Sequence, residues 1–247
     1  MATSEQLQSP SYRIAALDQD FLLGDSMRGV RFLLEYAHAE EVLRHWGVHS
    51  TIVTFGSARA REDGPGRQPF WYQQARLFGK IASERGGALR HNGNLRDNVI
   101  ATGGGPGLME AANRGASDAG APSIGFNITL PHEQMPNSWC TPDLTFRFHY
   151  FAMRKMHLAM RANALVVFPG GFGTLDELFE ILNLRLTNKS PRLPIVLFDR
   201  DYWERLVNFD VLIESGMILP EDLALFSYAD DAEAAWASLI EQGLKLA

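Results

Sequence analysis

Val166-Val167-Phe168-Pro169-Gly170-Gly171-Phe172-Gly173-Thr174-Leu175-Asp176-Glu177 reads as an apolar strand that runs into a glycine-rich turn, with a helix opening straight out of it. Such a turn aims backbone N–H groups and a helix N-terminus at a space where an anion, typically a phosphate, can sit. A second stretch, Ile100-Ala101-Thr102-Gly103-Gly104-Gly105-Pro106-Gly107-Leu108-Met109-Glu110, repeats the design. One such turn is a weak signal, because tight helix–strand packing explains many of them. Two in corresponding places ask for a shared ligand. Neither is a standard nucleotide fingerprint: the earlier cluster lacks the Lys-Ser/Thr of a P-loop, and no Gly-x-Gly-x-x-Gly follows the first strand. That argues against an ordinary ATPase or NAD enzyme.

Outward from these turns, strands and helices alternate. Strands are expected at Ser50 to Phe55, Val99 to Thr102, Ser123 to Leu130, Leu144 to His149, Ala164 to Phe168, Pro194 to Phe198 and Leu225 to Ala229. Helices are expected from Pro69 to Glu84, to Asp118 with Pro106 in the first turn, and over Phe151 to Arg161, Leu175 to Leu186, Tyr202 to Glu214 and Asp231 to Gln242. The alternation predicts an α/β fold: a Rossmann-like, doubly wound parallel sheet built by right-handed crossovers. Ligands of such sheets bind beyond the carboxyl ends of the strands, where both glycine clusters fall. No linker divides residues 1–247, so a single domain is expected, with residues 1–25 a loosely held arm. An extra N-terminal helix is expected from Ser26, as N-cap, to Trp46, with Val30, Leu33, Leu34 and Ala37 as the face packed on the body or on a partner subunit.

The formal charge of −6, with no basic block, argues against a nucleic-acid partner. Cys140 is the only cysteine, which excludes an internal disulfide and a cysteine metal cluster and suits a cytoplasmic protein. No apolar run approaches the roughly 20 residues of a membrane span, and the first ten residues lack a signal-peptide pattern.

Candidate chemistry lies in few places. Thr174 and Glu177 have capping-box spacing, so Thr174 would cap a helix starting at Leu175 while Glu177 reaches back to it. The rival reading makes Glu177 a carboxylate beside a phosphate cradle, able to orient water or stabilise positive charge on a sugar ring. Arg154, Lys155 and Arg161 are either a solvated basic face or ligand contacts. Arg154, flanked by Phe151, Met153 and Met156, would need an anionic or hydrogen-bonding partner. His132, His149 and His157 show no metal-ligand spacing, and no Gly-x-Ser-x-Gly occurs. Arg90, His91 and Arg96 read as surface charges, and Glu133, Gln134 and Asn137 as ordinary loop polarity that could still cover a pocket.

The run from Gly103 to Ala111, then Met153-Arg154-Lys155, then Pro169 to Glu177, resembles the Lonely Guy (LOG) family, whose members were long labelled possible lysine decarboxylases. The likeness runs from about Thr51 to Phe198, and the extra N-terminal helix and Leu130-Pro131-His132-Glu133-Gln134 resemble its longer branch. The resemblance implies hydrolysis of the N-glycosidic bond of nucleoside 5′-monophosphates, AMP or cytokinin riboside 5′-monophosphates, to free base and ribose 5-phosphate. It implies Arg154 and Glu177 as the catalytic pair, and a phosphate cradle at Gly104, Gly105, Gly107, Gly171, Gly173 and Thr174. Ser57, Met109, Glu110, Lys155 and Gly170 complete the expected substrate contacts, with Met153, Met156 and Phe172 as walls for the base. It also implies a homodimer or larger homo-oligomer, and its scheme requires no metal or organic cofactor. The alternative is a non-catalytic nucleotide or molybdenum-cofactor carrier, which needs the cradle but not the carboxylate. A pyridoxal-phosphate decarboxylase needs a Schiff-base lysine, and none of Lys80, Lys155, Lys189 and Lys245 has an obvious cofactor setting.

Overall fold

Seven strands carry the alternation: β1 (Thr51–Phe55), β2 (Val99–Thr102), β3 (Ser123–Ile128), β4 (Thr145–Phe148), β5 (Ala162–Val167), β6 (Ile195–Phe198) and β7 (Ser227–Ala229). In the computed structural model, which describes residues 2–90, 95–129, 135–190 and 192–246, they form one sheet in the order β4-β3-β2-β1-β5-β6-β7. Every pairing is parallel. The expected doubly wound sheet is therefore present, with its order reversing between β1 and β5.

The helices are α1 (Ser4–Gln8), α2 (Gln19–Leu23), α3 (Arg28–His45), α4 (Gln68–Gly86), α5 (Leu108–Asp118), α6 (Phe151–Met160), α7 (Phe172–Leu186), α8 (Arg200–Leu206), α9 (Phe209–Glu214) and α10 (Ala232–Glu241). A parallel sheet covered on both faces has apolar residues at every position of its central strands, and β1 is buried throughout. Val53, Phe55, Leu165 and Val167 pack with Leu43 of α3, Leu158 of α6 and Leu178 of α7 on one face. Ile52, Ile100, Ala164 and Val166 pack with Phe78 of α4, Ala112 of α5 and Trp236 of α10 on the other.

Several sequence expectations shift. The N-terminal helix starts at Arg28, and Ser26 lies in the 3-10 turn before it rather than at its cap. Against the body it packs by Ala39 and Leu43, which are buried, whereas Val30, Leu33 and Leu34 are exposed, so the body is not what the expected face packs on. Helix α5 begins at Leu108 with Gly107 as N-cap, so Pro106 stands outside its first turn. The helix expected over Tyr202 to Glu214 is two, because Val207 is extended and the Asn208 side chain accepts from the Asp210 N–H and starts α9. No described helix is long and apolar enough to cross a membrane.

Candidate active site

Where the strand order reverses, the loops leaving β1 and β5 diverge in opposite directions and leave a crevice at the carboxyl edge of the sheet. Backbone bonds fix its walls: the Ser57 N–H donates to Pro169 O at 3.0 Å, and the Leu108 N–H donates to Ser57 O at 3.1 Å. The β1 turn is thereby held to both glycine clusters. The cavity measures about 650 Å³.

Its floor is the glycine turn of residues 169–174. Helix α7 starts at Phe172, with Gly171 as an N-cap that supplies no side-chain bond. The capping-box expectation is therefore overturned: Thr174 is the third residue of the helix, and Glu177 is a turn too deep to reach the cap. The first helical bond runs from the Leu175 N–H to Gly171 O at 3.0 Å. The N–H groups of Phe172, Gly173 and Thr174 are thus the uncompensated donors of a helix N-terminus, the groups an anion satisfies.

Glu177, freed from any cap, pairs with Arg154 of α6, Nη2 to Oε1 at 2.6 Å. Both are largely buried, at 13% and 5% side-chain exposure, and both line the crevice. Burial pushes the Glu177 carboxyl above its ordinary range, while the Arg154 guanidinium and the Lys155 ammonium pull it back down. The Arg154 Nε is buried without a hydrogen-bond partner among the described residues.

The structure brings Ser57, Met109, Arg154, Gly170, Gly171, Gly173, Thr174 and Glu177 together around this one crevice. It does not bring Gly104, Gly105, Gly107, Glu110 or Lys155 to its walls. Of the Gly103–Gly107 cluster only Gly103 lines the crevice, and the rest brace the chain. The Gly104 N–H donates to Thr102 Oγ1 at 2.9 Å, and Asn137 bonds the carbonyls of Gly104 and Gly105 at 2.8 and 3.0 Å. At Gly107 (φ 76°) a side chain would enter the Ser57 carbonyl. Glu110 borders a neighbouring cavity and accepts from the Tyr72 hydroxyl at 3.4 Å. Lys155 is held by Asp176 at 2.8 Å and Glu180 at 2.9 Å; burial opposes its charge, yet the two carboxylates keep its pKa above the usual value. It ties α6 to α7 beside the pair.

Of the expected base walls, Phe172 stands at the crevice, 92% exposed, whereas Met153 and Met156 do not line it. Asn137 is the brace already described and does not line the crevice. His91, His132, Glu133 and Gln134 lie outside the described residues. His157 is buried against Phe126 and Phe148, and burial pushes its pKa down. Burial pushes the Cys140 thiol up to about 12. Among the described residues, no group of three or more His, Cys, Asp or Glu could hold a metal ion.

Arg59, Tyr202 and Leu206 also line the crevice and were not among the sequence candidates. The Tyr202 hydroxyl donates to Gly170 O at 2.7 Å. The Tyr202 backbone N–H in turn donates to Asp199, a buried carboxylate that also takes Trp71 Nε1 at 2.6 Å and the Arg67 guanidinium. Gly170 is sterically compulsory, because a Cβ there would run into the Thr174 side chain. Gly170→Ala is expected to lower stability by about 1–3 kcal/mol, the usual cost of overpacking. Denaturant melts of the two proteins check this, and equal midpoints would show that the turn relaxes without strain.

A family model described as possible lysine decarboxylase matches residues 109–239, which hold the Arg154–Glu177 pair and the whole glycine turn. The chain belongs to this family, the LOG family. Among curated LOG proteins, it is 30% identical over 150 residues to the "Probable cytokinin riboside 5'-monophosphate phosphoribohydrolase LOG4" of Oryza sativa subsp. japonica, covering 58% of this chain and 62% of that protein. It is 30% identical over 127 residues to the cytokinin riboside 5'-monophosphate phosphoribohydrolase LOG3 of Arabidopsis thaliana, covering 49% of this chain and 57% of that one. The chain spans about three fifths of the length of the curated LOG relatives it matches. Among solved structures, the molybdenum cofactor binding protein of Rippkaea orientalis superposes with a TM-score of 0.54 at 19% identity, over 79% of this chain and 98% of that one. That likeness concerns the fold alone. The family's decarboxylase description finds no lysine in the crevice wall.

Proposed function

We propose that the crevice hydrolyses the N-glycosidic bond of nucleoside 5′-monophosphates, AMP or its N6-substituted cytokinin relatives, to free base and ribose 5-phosphate. The observation that carries this reading is the Arg154–Glu177 pair, buried and facing the uncapped N-terminus of α7. Glycoside cleavage passes through an oxocarbenium-like state at the anomeric carbon. The Glu177 Oε1 is held by Arg154 and no group among the described residues bonds Oε2, which leaves that oxygen to accept a proton from the attacking water. The same carboxylate stabilises the developing positive charge on the sugar. Arg154 fixes the carboxylate and donates a hydrogen bond toward the departing base, which takes up the proton that Glu177 has accepted from water. The 5′-phosphate sits on the free N–H groups of residues 172–174, so binding energy remote from the reacting bond positions the anomeric carbon. The phosphoribohydrolase activity for which those relatives are named supports the same chemistry.

A non-catalytic carrier would use the N-terminus of α7 equally well but has no need of a buried carboxylate beside it. The crevice rim of Met109, Phe172, Leu175 and Leu206 suits an apolar N6-substituent. AMP and N6-prenylated AMP, assayed side by side for released base, test the reading: release from either supports it, and binding of both without release favours the carrier. The pH profile adds a second check. Hydrolysis needs ionised Glu177, so kcat/KM falls as pH drops through its pKa, and burial sets this acid limb above the ordinary carboxylate range. A limb at or below the ordinary value would remove Glu177 from the rate-determining protonation.

A further inference from the structure

Charge balance in the crevice leaves a dianionic ligand without a counter-charge unless one further residue supplies it. A phosphate monoester carries about −1.5 to −2 at neutral pH. Arg154 and Glu177 neutralise one another at 2.6 Å, and Lys155 is committed to Asp176 and Glu180 away from the crevice wall. Among the described lining residues, the remaining charged group is Arg59.

Arg59 differs from the arginines around it. Arg61 meets Asp63 at 3.7 Å, Arg67 meets Asp199 at 2.9 Å and Arg114 meets Glu62 at 3.0 Å. The Arg59 guanidinium is exposed and has no partner among the described residues. Its backbone, in contrast, is anchored, with the N–H donating to Ser57 Oγ at 3.1 Å just past the end of β1. It stands on the wall shared by the crevice and the neighbouring cavity of about 610 Å³, so its head group can turn into either. An anchored backbone with an unpaired, delocalised cation, lining the same crevice as the uncapped N-terminus of α7, suits the bidentate recognition of a phosphate.

We infer that Arg59 is the phosphate-recognising cation of this crevice, the residue that makes a nucleoside monophosphate bind in preference to the nucleoside. The substrate class rests on the hydrolase reading, but the assignment is read by binding alone. Calorimetric titration of ribose 5-phosphate, and separately of ribose, into wild type, Arg59→Ala and Arg59→Lys tests it. Because the exposed side chain makes no hydrogen bond or ion pair among the described residues, both variants are expected to melt with the wild type. Arg59→Ala is expected to weaken ribose 5-phosphate about 10–100-fold, the range of a lost charge-assisted hydrogen bond, and to leave ribose unchanged. Arg59→Lys is expected to recover part of the loss. Unchanged ribose 5-phosphate affinity in Arg59→Ala, or an equal loss for ribose, overturns the assignment. If wild type cleaves AMP and Arg59→Ala does so with an unaltered KM, Arg59 fails while the hydrolase reading stands. If ribose 5-phosphate binding depends on Arg59 but AMP is never cleaved, the hydrolase reading fails and Arg59 stands.

Discussion

If the proposed hydrolase reading holds, Glu177→Gln is expected to lower AMP hydrolysis about 10²–10⁴-fold, the range expected when a positioned general base is removed. Glutamine keeps the shape of the side chain and its amide oxygen still accepts from Arg154, so α7 and the glycine turn stay in place. Arg154 then loses its counter-charge, but at 13% exposure it still reaches water at the crevice, so the fold survives. The loss is expected in kcat with KM for AMP nearly unchanged, because the phosphate is held by groups that the substitution leaves untouched. Steady-state kinetics with circular dichroism of the variant check this. Wild-type turnover in Glu177→Gln would reduce the carboxylate to a counter-ion for Arg154.

Arg154→Met is expected to be costly in two ways. It removes the donor at the leaving base, and it leaves a carboxylate of 5% exposure without its cation. Breaking a buried pair from one side costs about 3–5 kcal/mol while the survivor stays charged. The survivor avoids part of that penalty by taking up a proton, because the guanidinium no longer offsets the burial that raises Glu177. The folded-state pKa then lies well above the unfolded one, so the folded state binds more protons between the two. Stability of the variant accordingly rises as pH falls through that window and is lost as pH climbs above the folded pKa. Urea denaturation of wild type and variant at about pH 5 and about pH 8 measures the gap, which should be wider at the higher pH. A gap independent of pH would mean that Glu177 finds another partner. Replacing both residues by methionine should cost less than Arg154→Met alone, since no buried charge remains.

Which parts of this were legible in the sequence follows from the range of the forces involved. The β5 turn was legible because glycines, an apolar strand and a helix sit within one stretch of 166–177, and local chemistry alone specifies that geometry. Parallel pairing followed from alternation. Strand order did not: that β1 lies beside β5 depends on crossovers spanning the whole chain, and it is this adjacency that puts Arg59 at the mouth of the site. The signal for Arg59 was its place just after the first strand, which gains meaning only once the switch point is known. Tyr202 had no signal, since its bond to Gly170 O crosses between elements. Gly104, Gly105 and Gly107 look like a phosphate cradle in sequence; in the structure Asn137 donates to the carbonyls of the first two, Gly107 closely approaches Ser57 and lines the neighbouring cavity, and none of the three lines the crevice of Glu177. Glycine marks tight backbone geometry and does not say which side of it a ligand occupies. Thr174 and Glu177 show the same ambiguity, as the spacing of a capping box is also that of two residues on one helix face, and only the start of α7 at Phe172 separates them.

The central claim is that the buried Arg154–Glu177 pair cleaves a nucleotide held by its phosphate on the N-terminus of α7. Incubation of AMP with the wild-type protein and with Glu177→Gln, with adenine and ribose 5-phosphate quantified separately, tests it most directly. The account predicts both products in equal amounts from the wild type and almost none from the variant. AMP recovered intact from the wild type, or products formed equally by both proteins, would contradict it.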